Sequence, residues 1–181
     1  MAPELPAGLL AHIDRVVALA AELARRHGLD EARTLLTAQA HDLLRAVEPA
    51  ELLARAERRG LEVDPVERAE PVLLHGPLGA CELRERFGIE DARVLHAVRW
   101  HTTGHPDFDA EAWAFFIADK AEPEKLARWP ELRRVLDRAY TSLEAGARAY
   151  LDLSIERGVR EGWQLHPLAV ATRNALLARG A

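Results

Sequence analysis

The chain has 181 residues, a length that suits one domain with a sizeable core and no need of covalent staples. Apolar residues make up 49% and charged residues 29%, with much Ala and Leu and few aromatics, which excludes a disordered or all-β chain and predicts a mostly helical one. The formal charge of −5 argues against a surface that tracks nucleic acid, and the single cysteine, Cys81, excludes an internal disulfide and any thiolate-rich metal site.

No stretch approaches the roughly 18 consecutive apolar residues of a membrane span, and no basic segment followed by an apolar one opens the sequence. With the lone cysteine, this predicts a reducing, cytoplasmic setting and no membrane partner. Metal ligands, if any, must be nitrogen and oxygen.

From Leu9 to His27 apolar residues recur at three- and four-residue spacing and Gly28 offers a stop, so an amphipathic helix is predicted. His12 falls on its inner side, where a single histidine suits packing as well as ligation. Asp30 is a good N-cap for a second helix, from Glu31 to about Val47, that carries Ala40-His41-Asp42. Neighbours on a helix stand about 100° apart, so His41 and Asp42 straddle one edge of its buried face. Alone, the pair reads as a capped or hydrogen-bonded surface feature. Pro49 to Arg59 is a short charged helix stopped by Gly60, Asp64-Pro65 restarts a helix, and Pro71 breaks it.

His75 stands among apolar residues ahead of a helix over Leu78 to Phe87, which Gly88 ends. Another helix runs from Asp91 to about His101. His96 lies on a different face from His101 and reads as structural or exposed. A loop over 102–106 follows. The next helix is apolar on all sides from Ala112 to Ala118, hence buried, and delivers Asp119 immediately afterwards. A buried carboxylate near a helix C-terminus is opposed by desolvation and by the macrodipole, so Asp119 needs a positive partner unless it opens to solvent. A long helix over Glu131 to about Arg157, bent near Gly146 and ended by Gly158 and Gly162, precedes a closing helix from His166-Pro167 through Leu177. The sum is an all-α chain of seven to eight helices, a single domain over 1–181 with no internal repeat.

His12, His41-Asp42, His75, His101 and Asp119 are five places where a histidine or aspartate adjoins apolar helical sequence. Imidazoles and carboxylates without thiolates suit iron, manganese, zinc or magnesium, and six such groups exceed the needs of one tetrahedral ion. Two ions about 3.5–4 Å apart would ionise water near neutral pH and stabilise phosphoryl oxygens. The intervals, 29 residues from His12 to His41, 33 from Asp42 to His75, 26 to His101 and 18 to Asp119, match no local metal motif.

The order His, His-Asp, His, His, Asp resembles the HD-domain metal-dependent phosphohydrolase superfamily, and the details are similar to its YqeK branch, the symmetrical bis(5′-nucleosyl)-tetraphosphatases. The stretches that carry the resemblance include Leu74-His75-Gly76-Pro77-Leu78-Gly79-Ala80, Phe87-Gly88-Ile89-Glu90-Asp91, Arg99-Trp100-His101-Thr102-Thr103-Gly104, Ile117-Ala118-Asp119-Lys120-Ala121-Glu122-Pro123 and Thr172-Arg173-Asn174. They extend over nearly the whole chain.

The resemblance implies a helical HD-domain bundle with two divalent or mixed-valence ions, iron the leading choice, that cleaves diadenosine tetraphosphate into two ADP with water as nucleophile. By the family pattern His12, His41 and Asp119 would bind one ion, His75 and His101 the other, and Asp42 would bridge. Asp42 and Arg45 would carry the catalytic role, Arg45 holding phosphate oxygens. Arg99, Thr102, Thr103 and Lys120 are further candidates for substrate contact. The partner is then a small dinucleoside polyphosphate, and a homodimer is compatible with the sequence. Arg45 stands where the family often has lysine, and His105 and Lys125 where arginine is expected, so the phosphate-binding periphery departs from the pattern while the ligand set is intact. Two alternatives follow: a mononucleotide phosphohydrolase of the same superfamily, or a catalytically weak nucleotide-binding regulatory protein.

Overall fold

The structure, a computed structural model, describes residues 5–181. It is all-α, with no strand among the described residues. The axis of the fold is α7 (Ala110–Ala121), in which nine of twelve residues are buried, Trp113, Phe115, Phe116 and Ile117 among them. Large apolar side chains of this kind contribute about 1.5–3 kcal/mol each on burial, which is why a helix apolar all round takes the centre. Helices α1 (Ala7–His27), α2 (Glu31–Ala40) and α6 (Ala92–Trp100) pack on it from one side, and α9 (Arg133–Ala139) and α10 (Leu143–Glu161) from another. The closing helix α11 (Pro167–Ala178) lies on α10.

A smaller layer completes the fold. Helices α3 (Pro49–Arg58) and α5 (His75–Phe87), with the 3-10 turn Pro71–Leu74 between them, bury Leu44, Leu52, Leu74 and Leu78. Leu83 of α5 then meets Val94 and Val98 of α6, joining this layer to the rest.

Three predicted boundaries are corrected. The second helix ends at Ala40 rather than near Val47, and the chain continues in overlapping turns, Arg45 N to Asp42 O (3.0 Å) and Val47 N to Leu44 O (3.0 Å). The cause is His41: its Nδ1 takes the Ala38 carbonyl (2.8 Å), the acceptor Asp42 N–H would need in a continued helix. Helix α5 begins at His75, three residues earlier than expected, because Pro77 falls in the first turn, where a missing N–H costs nothing. The long helix predicted over 131–157 is a 3-10 turn (Pro130–Leu132) and two helices, parted at Tyr140–Ser142, where the Ser142 hydroxyl caps Ala145 N. Gly146 is not the bend. It lies inside α10, where a Cβ would stand 2.7 Å from the Ala139 Cβ, so a bare Cα lets α10 fold back on α9. Nor does Gly158 end α10; Gly162 does.

With this split and the short helices α4 (Pro65–Ala69) and α8 (Pro123–Arg128), the described residues hold eleven α-helices, against the seven to eight expected. No helix among the described residues is long and apolar enough to cross a membrane.

Gly146→Ala tests the α9–α10 contact. Overpacking should destabilise the protein by about 1–3 kcal/mol, read as a lower urea midpoint at unchanged slope; an unchanged midpoint would show that the two helices part freely.

Candidate metal centre

Five separate elements deliver the six sequence-predicted ligands to one place. His12 projects from the first half of α1, His41 caps the C-terminus of α2 with Asp42 beside it, His75 opens α5, His101 caps α6 and Asp119 sits in the last turns of α7. All but the half-buried His12 are buried. His12 Nε2 stands 3.3 Å from Asp119 Oδ1, and His41 Nε2 3.4 Å from Asp42 Oδ2. On the opposite side His75 Nε2 is 3.1 Å and His101 Nε2 3.7 Å from Asp42 Oδ1. Asp42 therefore divides the histidines into two pairs, one facing each of its oxygens.

Every ring is held by its other nitrogen. Nδ1 of His41, His75 and His101 bonds the carbonyl three residues back, of Ala38, Val72 and Val98. Carbonyls only accept, so each Nδ1 carries the proton and, in the neutral ring, each Nε2 is a bare lone pair aimed inward. His12 reaches the same state differently: its Nδ1 faces the Glu122 carboxylate at 3.4 Å, and Arg15 Nε holds the other Glu122 oxygen at 2.6 Å.

The result is electrostatically unfinished. His75 and His101 bring their Nε2 atoms within 2.9 Å of each other, which two lone pairs tolerate only with a proton or a cation between them. His41 Nε2 is buried with no hydrogen-bond partner, its 3.4 Å approach to Asp42 lacking the alignment. A donor set of four imidazole lone pairs and two carboxylates, with no thiolate, fits hard or borderline divalent cations.

Charge states agree. Burial opposes ionisation of Asp42, but the imidazoles of His101, His41 and His75 ranged against it outweigh burial and hold its carboxyl far below the usual carboxylate range. Burial drives the His101 imidazole down to about 4, so it is neutral at physiological pH. Burial also opposes ionisation of Asp119, yet Lys120 (Nζ to Oδ2, 2.7 Å) and Lys125 (Nζ to Oδ1, 3.0 Å) keep it ionised. These two lysines are the positive partners its buried position demanded.

A cleft of about 600 Å³ opens onto the centre, with Arg45, Thr102, Lys120 and Lys125 in its walls. Arg45 is exposed, and among the described residues it has no ion-pair partner. Arg99 and Thr103 do not line the cleft: the Arg99 guanidinium stacks on Trp100 at 4.8 Å, and the buried Thr103 hydroxyl bonds the Gly104 carbonyl. His105 packs against His96 and Phe108, away from the centre. Glu122 and Arg15, which orient His12, were not singled out from the sequence. Glu122 is hidden there by its second task as the N-cap of α8 before Pro123; the available signal was Arg15, one turn after His12.

Gly76 allows the two halves to meet. A Cβ there would stand 2.8 Å from the Arg99 carbonyl and 3.3 Å from His101 Nδ1. Gly76→Ala should push the start of α5 off the end of α6, lower stability by about 1–3 kcal/mol and reduce bound metal per chain. Elemental analysis beside a melting curve checks this; full metal content in a destabilised variant would mean that His75 and His101 do not depend on this approach.

Comparison with known proteins agrees with the site. The HD domain family matches residues 9–124. A symmetrical bis(5′-nucleosyl)-tetraphosphatase of Halalkalibacterium halodurans is 31% identical over 175 residues, covering 97% of this chain and 92% of that one. One of the same name from Bacillus subtilis is 29% identical over 63% of this chain and 61% of its own length. A crystal structure from Clostridium acetobutylicum, described as a predicted HD superfamily hydrolase involved in NAD metabolism, superposes with a TM-score of 0.88 at 26% identity, over 97% of this chain and 92% of that one. The chain belongs to the HD-domain family, in the branch of the symmetrical bis(5′-nucleosyl)-tetraphosphatases.

Proposed function

We propose that this chain is a metal-dependent hydrolase that cuts diadenosine tetraphosphate symmetrically into two ADP. The observation that carries the reading is the division of four inward Nε2 lone pairs by Asp42, beside a cleft whose walls bear Arg45, Lys120 and Lys125. Relatives named for this activity support it.

In this reading His12, His41 and Asp119 would hold one ion, His75 and His101 the other, and Asp42 would serve both. Two divalent ions, iron the first choice with manganese, zinc or magnesium as alternatives, supply water ionised near neutral pH and charge to match the phosphoryl oxygens. The chain's own groups do the rest. The backbone carbonyls behind His41, His75 and His101 fix each ring with Nε2 inward, so no ring must turn to serve as ligand. Arg45, exposed at the rim, is placed to grip phosphate oxygens in the bidentate manner a lysine cannot match. Lys120 and Thr102 line the same wall, whereas Arg99 and Thr103 brace the turn that presents His101. Symmetric cleavage requires water to attack an inner phosphorus in line with the bridge to the next one, and ADP to leave. A reducing, cytoplasmic setting suits a chain whose one cysteine is free.

Incubation of the metal-loaded protein with diadenosine tetraphosphate, followed by chromatography, should show ADP as sole product; ATP with AMP, or activity on mononucleotides alone, would contradict the reading. Glu122→Gln, which removes the charge facing His12 Nδ1, should weaken metal binding about 10–100-fold in a competitive chelator titration with helicity retained. Wild-type affinity in that variant would show that Glu122 serves only the α8 cap.

A further inference from the structure

A second cavity, of about 550 Å³, lies behind the metal cleft and shares Lys120 and Lys125 with its wall. Both ammonium groups are pinned at the edge of the centre by Asp119. Lys120 Nζ also stands 5.4 Å from the Phe116 ring centroid and 6.0 Å from that of Tyr150, which itself lines the second cavity. The two spaces thus share a wall at Lys120 and Lys125.

The second cavity has the chemistry of a nucleotide site. Its walls carry five cations, Lys120, Lys125, Arg134, Arg157 and Arg160, against two carboxylates, Glu131 and Glu156, in a chain whose net charge is −5. Trp129, Tyr150, Leu132 and Leu153 supply an apolar and aromatic side. The Arg157 guanidinium stands 5.2 Å from the Trp129 ring centroid and 5.0 Å from that of Trp163, and its Nε bonds Glu161 Oε1 at 2.8 Å, so it holds Trp129 in the wall of the cavity. The metal cleft offers a different surface: Pro6, Leu9, Val72 and Leu73 are its apolar walls, and among the described residues its only rings besides proline's are the histidines of the centre.

We propose that this second cavity binds the nucleoside of the departing ADP, so that a symmetric substrate is read by two unlike pockets. The inference rests on the dinucleotide hydrolase reading. The chain has no internal repeat, and the two cavities have unlike linings, so the two ends of the molecule meet different surfaces. When water attacks one inner phosphorus, the bond to the oxygen bridging the two inner phosphates breaks, and that oxygen leaves with the other ADP bearing the new negative charge. Lys120 and Lys125, in the wall the two spaces share, meet that charge, while Trp129 and Tyr150 hold the base beyond it.

The test uses the metal-loaded full chain as wild type, Trp129→Ala, Ser154→Trp, which fills the cavity, and Phe87→Ala, at an exposed residue of α5, as a control outside it. For each, KM is measured for diadenosine tetraphosphate, together with the inhibition constant of inorganic tetraphosphate, which has the phosphate chain and no nucleoside. Loss of one base stack should raise KM about tenfold or more in the first two variants, leave the tetraphosphate constant within about twofold, and move neither value in Phe87→Ala. A KM unchanged in Ser154→Trp overturns the subsite alone, as does a parallel rise of both constants, which would mean that the cavity bears on the phosphates or on folding. If wild type makes no ADP, the hydrolase reading fails and the subsite falls with it.

Discussion

The structure depends on one repeated hydrogen bond, from a histidine Nδ1 to the carbonyl three residues earlier. It occurs at His41, His75 and His101, each at a helix end. Ala38 and Val98 lie in the last turns of α2 and α6, where carbonyls run out of intrahelical N–H partners, and Val72 lies in the 3-10 turn that leads into α5, so at each place a histidine side chain adds a donor at a helix end. The same bond turns each Nε2 lone pair toward Asp42. Helix ends and metal ligands are therefore one design: what stops α2 and α6 also arms the centre.

The rest of the fold brings those ends together. Helix α7, buried on all sides, gives α1, α2 and α6 a common surface, so that His12, His41 and His101 arrive at its C-terminal end, where Asp119 lies. An ionised carboxylate in that position is tolerated because Lys120 and Lys125 flank it. Gly76 supplies the last approach, of α5 to α6. A centre assembled from five elements in this way is over-determined sterically and incomplete electrostatically, a combination that suits a preorganised cation site.

Much of this was legible in the sequence. The helices bounded by Gly28, Gly88 and Gly162 and by the caps Asp30, Asp91 and Asp109 lie where capping chemistry places them, and the apolar run before Asp119 announced both a buried helix and a buried charge. What misled was local preference read without side-chain competition. Periodicity carried α2 on to Val47, since it does not register that His41 would claim the Ala38 carbonyl. It also fused α9 with α10, because Tyr140 to Ser142 hold no Gly or Pro and the real stop is a serine cap. Among the site residues, the six candidate ligands could be named only by their company, whereas Glu122 was masked by its capping role. The separation of Arg99 and Thr103 from the cleft depends on how the turn after α6 folds, which spacing does not record.

The central claim is that Asp42 stands between two ions, each served by its own pair of histidines. Anomalous diffraction from crystals of the metal-loaded protein tests it most directly. The account predicts two peaks, one on each side of Asp42, against His12, His41 and Asp119 and against His75 and His101. A single peak, or two peaks that leave Asp42 outside the coordination of either, would contradict it.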